Sequence, residues 1–150
     1  MVVQRDPLGM TRLISVRRFL PGRSAPRFTF AGRTLLLGGS HPFRAKPLLD
    51  TLLDLEAATV GPFESTAEAL QALQSHSPDL AIIDLHWREG FGFEIPRALQ
   101  VRGIPFVILT GFTANLLPPD IAPSAFIRHP VATEAIIETL KNLVENSAAA

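Results

Sequence analysis

Five short apolar runs, each closed by glycine or a polar residue and recurring about every 19–25 residues, constrain this chain more than any other feature. They are Thr34–Leu37, Ala57–Val60, Leu80–Ile83, Pro105–Leu109 and Ala125–Ile127. Runs this short and this continuous read as strands buried on both faces, because a strand with one wet face alternates apolar and polar residues. The segments between them carry helical spacing. Leu48, Leu49, Leu52, Leu53 and Leu55 follow Pro47, which suits a first helical turn. Leu70 and Leu73 stand one turn apart after Ser65-Thr-Ala-Glu68, a capping-box pattern. A third helix is expected over Glu94–Val101, with Pro96 in its first turn and Gly103 just past its end. Ile136, Ile137, Leu140, Leu143 and Val144 form the buried stripe of the last helix. In the fourth connection Pro118, Pro119 and Pro123 leave room for a short or irregular helix only. Strand and helix alternating at this interval predict an α/β fold, a doubly wound five-stranded parallel sheet covered on both faces.

At 150 residues the chain is one domain's length. The absence of cysteine removes disulfides, thiolate metal sites and thiol nucleophiles together. The longest apolar runs, such as Ile104–Leu109, fall far short of the roughly 20 residues a membrane-spanning helix requires. No apolar run with a small-residue cleavage site stands near the start, so a cytoplasmic protein is expected. A net charge of zero conceals an uneven distribution: residues 1–33 hold seven arginines and one acid, a net of +6, whereas residues 34–150 hold seven bases and thirteen acids, a net of −6. Residues 1–32 read as a basic, flexible arm in which only Met10–Leu20 could form a short helix. Such an arm invites nucleic acid or acidic membrane. The simpler reading, a solvated leader resting on its own acidic domain, is preferred. The packed domain is expected over residues 33–146, with a tail at 147–150.

In open parallel sheets, chemistry gathers at the carboxyl ends of the strands. Those ends carry Gly38-Gly39-Ser40-His41, Asp84-Leu85-His86-Trp87, Thr110-Gly111 and Arg128-His129-Pro130. An aspartate closing an apolar strand requires a partner or a charge-assisted hydrogen bond, and a lone one usually caps its own loop. With Thr110 and His129 ending two other strands on the same edge, Asp84 becomes a candidate site residue. A constellation of His41, Asp84, His86 and His129 would suit zinc, copper or nickel, and stands as a remote alternative. The sequence has no Gly-x-Ser-x-Gly elbow and no Gly-x-x-x-x-Gly-Lys loop, and Gly38-Gly39-Ser40 lacks the third glycine of a dinucleotide fingerprint. No enzyme is read here.

Residues 33–146 resemble the receiver domain of bacterial two-component response regulators. The resemblance rests on Ser77-Pro-Asp-Leu-Ala-Ile-Ile-Asp84, on Arg102-Gly-Ile-Pro-Phe-Val-Ile-Leu-Thr110-Gly111 and on Ala125-Phe-Ile-Arg-His-Pro130. Val60-Gly-Pro and the Glu68-Ala-Leu helix add to it. It implies a flavodoxin-like fold with strand order 2-1-3-4-5. It also implies that Asp84 matches the phosphoacceptor, Thr110 the hydroxyl residue that follows the phosphoryl group, and Phe126 the aromatic switch residue. The implied partner is a histidine kinase or another signalling protein, met through the face of helix four, strand five and helix five, which also offers a homodimer surface.

Two departures qualify the resemblance. Where the family holds magnesium with a pair of acids, this sequence is read as having Gly38-Gly39, and His129 replaces the family's lysine. Magnesium prefers octahedral oxygen coordination that includes protein carboxylates, so its binding is expected to be weak or absent. Loss of a charge partner of this kind typically slows transfer by roughly 10²–10³. An Asp84–His129 pair is a conceivable substitute that would hold one conformation without phosphate. The chain therefore reads as a degenerate, stand-alone receiver in a phosphorelay, acting by protein contact with phosphorylation absent or inefficient. The alternative is a regulator still phosphorylated on Asp84. The chain stops soon after the last helix, so output by contact is expected.

Overall fold

The computed structural model describes residues 2–5, 11–14, 28–40 and 46–149. Strands β1 (Thr34–Gly38), β2 (Ala58–Phe63), β3 (Leu80–Ile83), β4 (Phe106–Thr110) and β5 (Ala125–Arg128) form one parallel sheet in the order 2-1-3-4-5. Helices α1 (Lys46–Asp54), α2 (Thr66–Ser75), α3 (Glu94–Val101) and α4 (Thr133–Ala149) cover its two faces. This is the doubly wound, flavodoxin-like arrangement expected from the apolar runs. Successive strand residues point to opposite faces. Leu35, Leu37, Leu80, Ile82, Val107 and Leu109 therefore pack with α1 and α4, while Leu36, Ala81, Ile83, Phe106 and Ile108 pack with α2 and α3. The stripe on α4 is core: Ile136, Leu140 and Val144 are buried against the sheet.

Proline decides the fourth connection. It holds a single 3-10 turn, Ala114–Leu116, before the chain runs on through Pro118, Pro119 and Pro123. Ile121 and Leu117 plug the segment into the α2–α3 core. On its outer side Asp120 accepts two hydrogen bonds from Arg97, at 2.8 and 3.1 Å, and the Gln100 amide bridges the Asp120 carbonyl and the Ala122 N–H. A guanidinium fork on a carboxylate, with the flanking backbone also bonded, gives an irregular segment a defined position.

The structure departs from the sequence reading in three places. Val2–Arg5 and Thr11–Ile14 pair as an antiparallel hairpin where a helix from Met10 was allowed; both strands carry β-branched residues that favour extended backbone. The remainder of the proposed arm upstream of residue 28, residues 1, 6–10 and 15–27, lies outside the described residues. Phe30, assigned to the arm, is fully buried in the α1–α4 core, edge-on to Phe28, and its N–H donates to the Leu55 carbonyl at 2.6 Å. The packed unit therefore extends upstream of residue 33. The third departure is a two-stranded hairpin, His86–Trp87 with Gly90–Phe91, between Asp84 and α3. Among the described residues no helix is long and apolar enough to cross a membrane.

Phe30→Ala should cost about 3–5 kcal/mol in chemical denaturation, as for a buried core aromatic. Val101→Ser, at a position 87% exposed on α3, should change stability by no more than about 0.5 kcal/mol. Equal effects would mean that Phe30 does not belong to the core.

Candidate functional site

The carboxyl ends of the parallel strands meet at one edge of the sheet. Ile83 is the last residue of β3 and lies beside Gly38 of β1, so Asp84 leaves the sheet one step later. Its N–H still donates to the Gly38 carbonyl at 3.0 Å. The Asp84 side chain is fully buried: Oδ1 accepts the Leu85 N–H at 2.6 Å, and Oδ2 is buried with no hydrogen-bond partner. Thr110, ending β4, is also fully buried, and its hydroxyl oxygen accepts the Phe112 N–H at 3.4 Å. His129 follows β5, donating its N–H to the Thr110 carbonyl at 2.9 Å, and its ring lies over Gly111. Phe126 is half-buried on the α2–α3 side, while Arg128 is exposed, with Nε 3.4 Å from the Gly111 carbonyl.

The structure brings Asp84, Thr110 and His129 to one edge, as expected, without the pairing considered for two of them. Oδ1 of Asp84 turns back onto its own loop, and Nε2 of His129 is buried without a hydrogen-bond partner, so no Asp84–His129 bond forms. The transition-metal alternative named four residues, of which Asp84, His86 and His129 are described. Among the described residues no three His, Cys, Asp or Glu side chains are grouped to hold a metal, and His41 lies outside the described residues.

The glycine pair has a structural cause that the sequence did not disclose. A Cβ on Gly38 would stand 2.4 Å from Cη2 and 2.8 Å from Cζ3 of Trp87, whose indole is fully buried on that spot. A Cβ on Gly39 would stand 2.4 Å from the Asp84 Cβ, and its φ of +126° is one that side-chain-bearing residues rarely adopt. Gly38 lies in the strand opposite Ile83 and accepts the Asp84 N–H, and Gly39 and Ser40 follow it along the Asp84 turn. None of the three bears a carboxylate.

Magnesium does not fit this donor set. Asp84 offers one carboxylate, of which one oxygen is already bonded to the Leu85 N–H. The His86 carbonyl, the backbone oxygen considered as a further ligand, accepts the Ser40 N–H at 2.9 Å. A hard cation that favours six oxygens in a strict octahedron gains no second carboxylate from Gly38, Gly39 or Ser40.

The loop after Asp84 holds residues that sequence reasoning missed. Glu89 reaches back to the start of α2, where Oε2 accepts the Ser65 hydroxyl at 2.6 Å and Oε1 accepts the Thr66 N–H at 3.0 Å. The expected capping box is therefore not the one formed: Ser65 occupies the N-cap position but makes no side-chain cap bond, and the cap oxygen comes from 23 residues downstream. The Ser65 hydroxyl, followed by the Thr66 N–H, holds the Glu89 carboxyl at about 2, below its ordinary 4.5. Phe91, 51% exposed, stacks edge-on to Phe112 at 4.6 Å between ring centroids. The one legible signal was a lone tryptophan three residues past the aspartate, in a chain whose first strand ends in two glycines.

No protein-family profile matches the chain. It is 31% identical over 85 residues to the polar-differentiation response regulator DivK of Brucella ovis and of Brucella abortus, which covers 52% of this chain and 69% of the relative. The solution structure of SdrG from Sphingomonas melonis Fr1 superposes with a TM-score of 0.62 at 26% identity, over 75% of this chain and 96% of that one. The receiver domain of a sensor histidine kinase from Pseudomonas aeruginosa PAO1, solved with magnesium coordinated in its active-site cleft, has the same fold, with a TM-score of 0.60 at 18% identity over 75% and 97% of the two chains.

Two measurements check the local architecture. Gly38→Ala and Trp87→Leu should each destabilise, the first by overlap and the second by a cavity. Combined, they should cost less than their sum by about 0.5–3 kcal/mol, because the smaller side chain makes room for the methyl group. Glu89 contributes to the acid limb. Its folded pKa is depressed, so its contribution is complete above its ordinary value of 4.5 and is lost as pH falls through about 2. In that window the Tm of wild type should fall more steeply than that of Glu89→Ala.

Proposed function

Because this chain belongs to the response-regulator family and carries its receiver fold, we propose that it transmits a signal by contact with other proteins, with phosphoryl transfer to Asp84 absent or inefficient. The observation that carries this reading is the acid-poor edge around Asp84: Gly38, Gly39 and Ser40 run beside it without a carboxylate. Transfer of a phosphoryl group relies on a cation that bridges its oxygens and offsets the charge developing on them. Without a second carboxylate that cation is held weakly, and the barrier rises accordingly.

The partner in this reading is a histidine kinase or another signalling protein in the cytoplasm. The contact face comprises β5, α4 and the proline-rich fourth connection, with Phe126 half-buried and Arg128 and Leu116 exposed along it. A homodimer through the same face is the other occupant to test. The arginine-rich start of the chain has no assigned role in this reading.

One observation favours the second reading, a regulator still phosphorylated on Asp84. Oδ2 is a carboxylate oxygen with no hydrogen-bond partner, at the end of β3, whose neighbour β4 ends in Thr110. In that reading Oδ2 attacks phosphorus, an acyl phosphate forms on Asp84, and the donor's leaving group departs with the electron pair of the broken bond. Rates roughly 10²–10³ below those of a receiver with a complete metal site are expected.

Intact mass after incubation with acetyl phosphate, with and without magnesium and beside Asp84→Asn, separates the two. We expect no phosphoryl gain and no change of Trp87 fluorescence at millimolar magnesium. A magnesium-dependent gain that approaches one phosphoryl group per chain and disappears in Asp84→Asn would replace the first reading by the second.

A further inference from the structure

We propose that the hairpin after Asp84 is a fixed clasp, wedged by Trp87 and fastened by Glu89, which holds the Asp84 loop in one conformation irrespective of modification. The inference deepens the reading above, since it names how a receiver without efficient phosphoryl transfer keeps its edge in a defined state.

The loop is fastened to the exits of its neighbours rather than to itself alone. At the exit of β1, Ser40 N–H donates to the His86 carbonyl at 2.9 Å. At the exit of β2, Arg88 N–H donates to the Glu64 carbonyl at 2.7 Å. At the start of α2, Ser65 and Thr66 both donate to Glu89. At the exit of β4, Phe112 packs edge-on against Phe91. The loop also closes on itself, with Gly92 N–H donating to the Leu85 carbonyl at 3.2 Å and Trp87 paired with Gly90. Beneath these bonds the Trp87 ring fills the space that the missing Gly38 side chain leaves.

An anchored loop differs from a switching one in its local opening. A segment that exchanges between two arrangements opens often, and its amides exchange quickly; one fastened at several independent points opens only when several bonds break together. Ser40, Arg88 and Gly92 donate the backbone bonds concerned, so their amides report the clasp directly.

The test is amide hydrogen exchange read residue by residue by NMR on the full chain, before and after acetyl phosphate with magnesium, with intact mass measured on the same samples. Slow exchange at Ser40, Arg88 and Gly92 that the treatment leaves unchanged is the expected result. Glu89→Ala should raise exchange at Arg88 by on the order of tenfold or more, while β3 and β4 amides keep their protection, since only the local opening is eased. Glu89→Gln, which keeps an acceptor oxygen and loses the charge, should fall between and serves if the alanine variant does not fold. Exchange at the rate of exposed loops in the wild type, or no response to either substitution, overturns the clasp whatever the mass shows. A phosphoryl gain with the three amides still protected overturns the reading of inefficient transfer and leaves the clasp standing. A gain accompanied by loss of protection overturns both.

Discussion

A strand buried on both faces has nowhere to place a polar side chain except at its ends. In β1, β3 and β4 every side chain between the ends enters one of two cores, Leu35 and Leu37 one way and Leu36 the other, and the pattern repeats across the sheet. Polar groups are thereby displaced to the carboxyl edge, where Asp84 and Thr110 are buried in spite of their chemistry. The edge is thus a consequence of packing before it is a site. What the neighbouring residues supply there decides whether a buried carboxylate becomes a metal ligand, a nucleophile or a fixed element of a loop.

In this chain the neighbours supply bulk and backbone bonds in place of charge. Two anionic side chains beside a third repel one another unless a cation lies between them. At the β1 exit of this chain there is no such side chain: the Trp87 indole stands where a Gly38 side chain would, and Asp84 where a Gly39 side chain would. Hydrogen bonds from Ser40 and to Glu89 then fasten the loop by means that do not depend on a metal.

The parts of this architecture legible in the sequence were those set by local pattern. Continuous apolar runs marked the five strands, helical spacing marked α1, α2 and α4, and a proline in the first turn with a glycine past the end marked α3, all of them local signals. The proline cluster foretold the irregular fourth connection for an equally local reason. Interactions between distant residues were not legible. Glu89 caps a helix that begins 23 residues earlier, and Ser65-Thr-Ala-Glu68 carries every sequence mark of capping itself. Phe30 looked like part of a basic arm because its neighbours are arginine, glycine and proline, although its own ring belongs to the core. The glycines at the end of β1 were legible as missing acids, but their pairing with Trp87 depends on how the loop folds back, and no spacing rule encodes that.

The fit of Trp87 over Gly38 also bears on the paths open to this lineage. Any side chain introduced at position 38 meets the indole at once, and any introduced at position 39 meets the Asp84 Cβ on a backbone that suits glycine. Shrinking Trp87 first would leave a void in the packed core. A carboxylate at position 38 therefore needs a smaller residue at position 87, and one at position 39 needs a different backbone beside Asp84. The contact thus ties the residue types at positions 38 and 87 to each other: the small one leaves the room that the large one occupies.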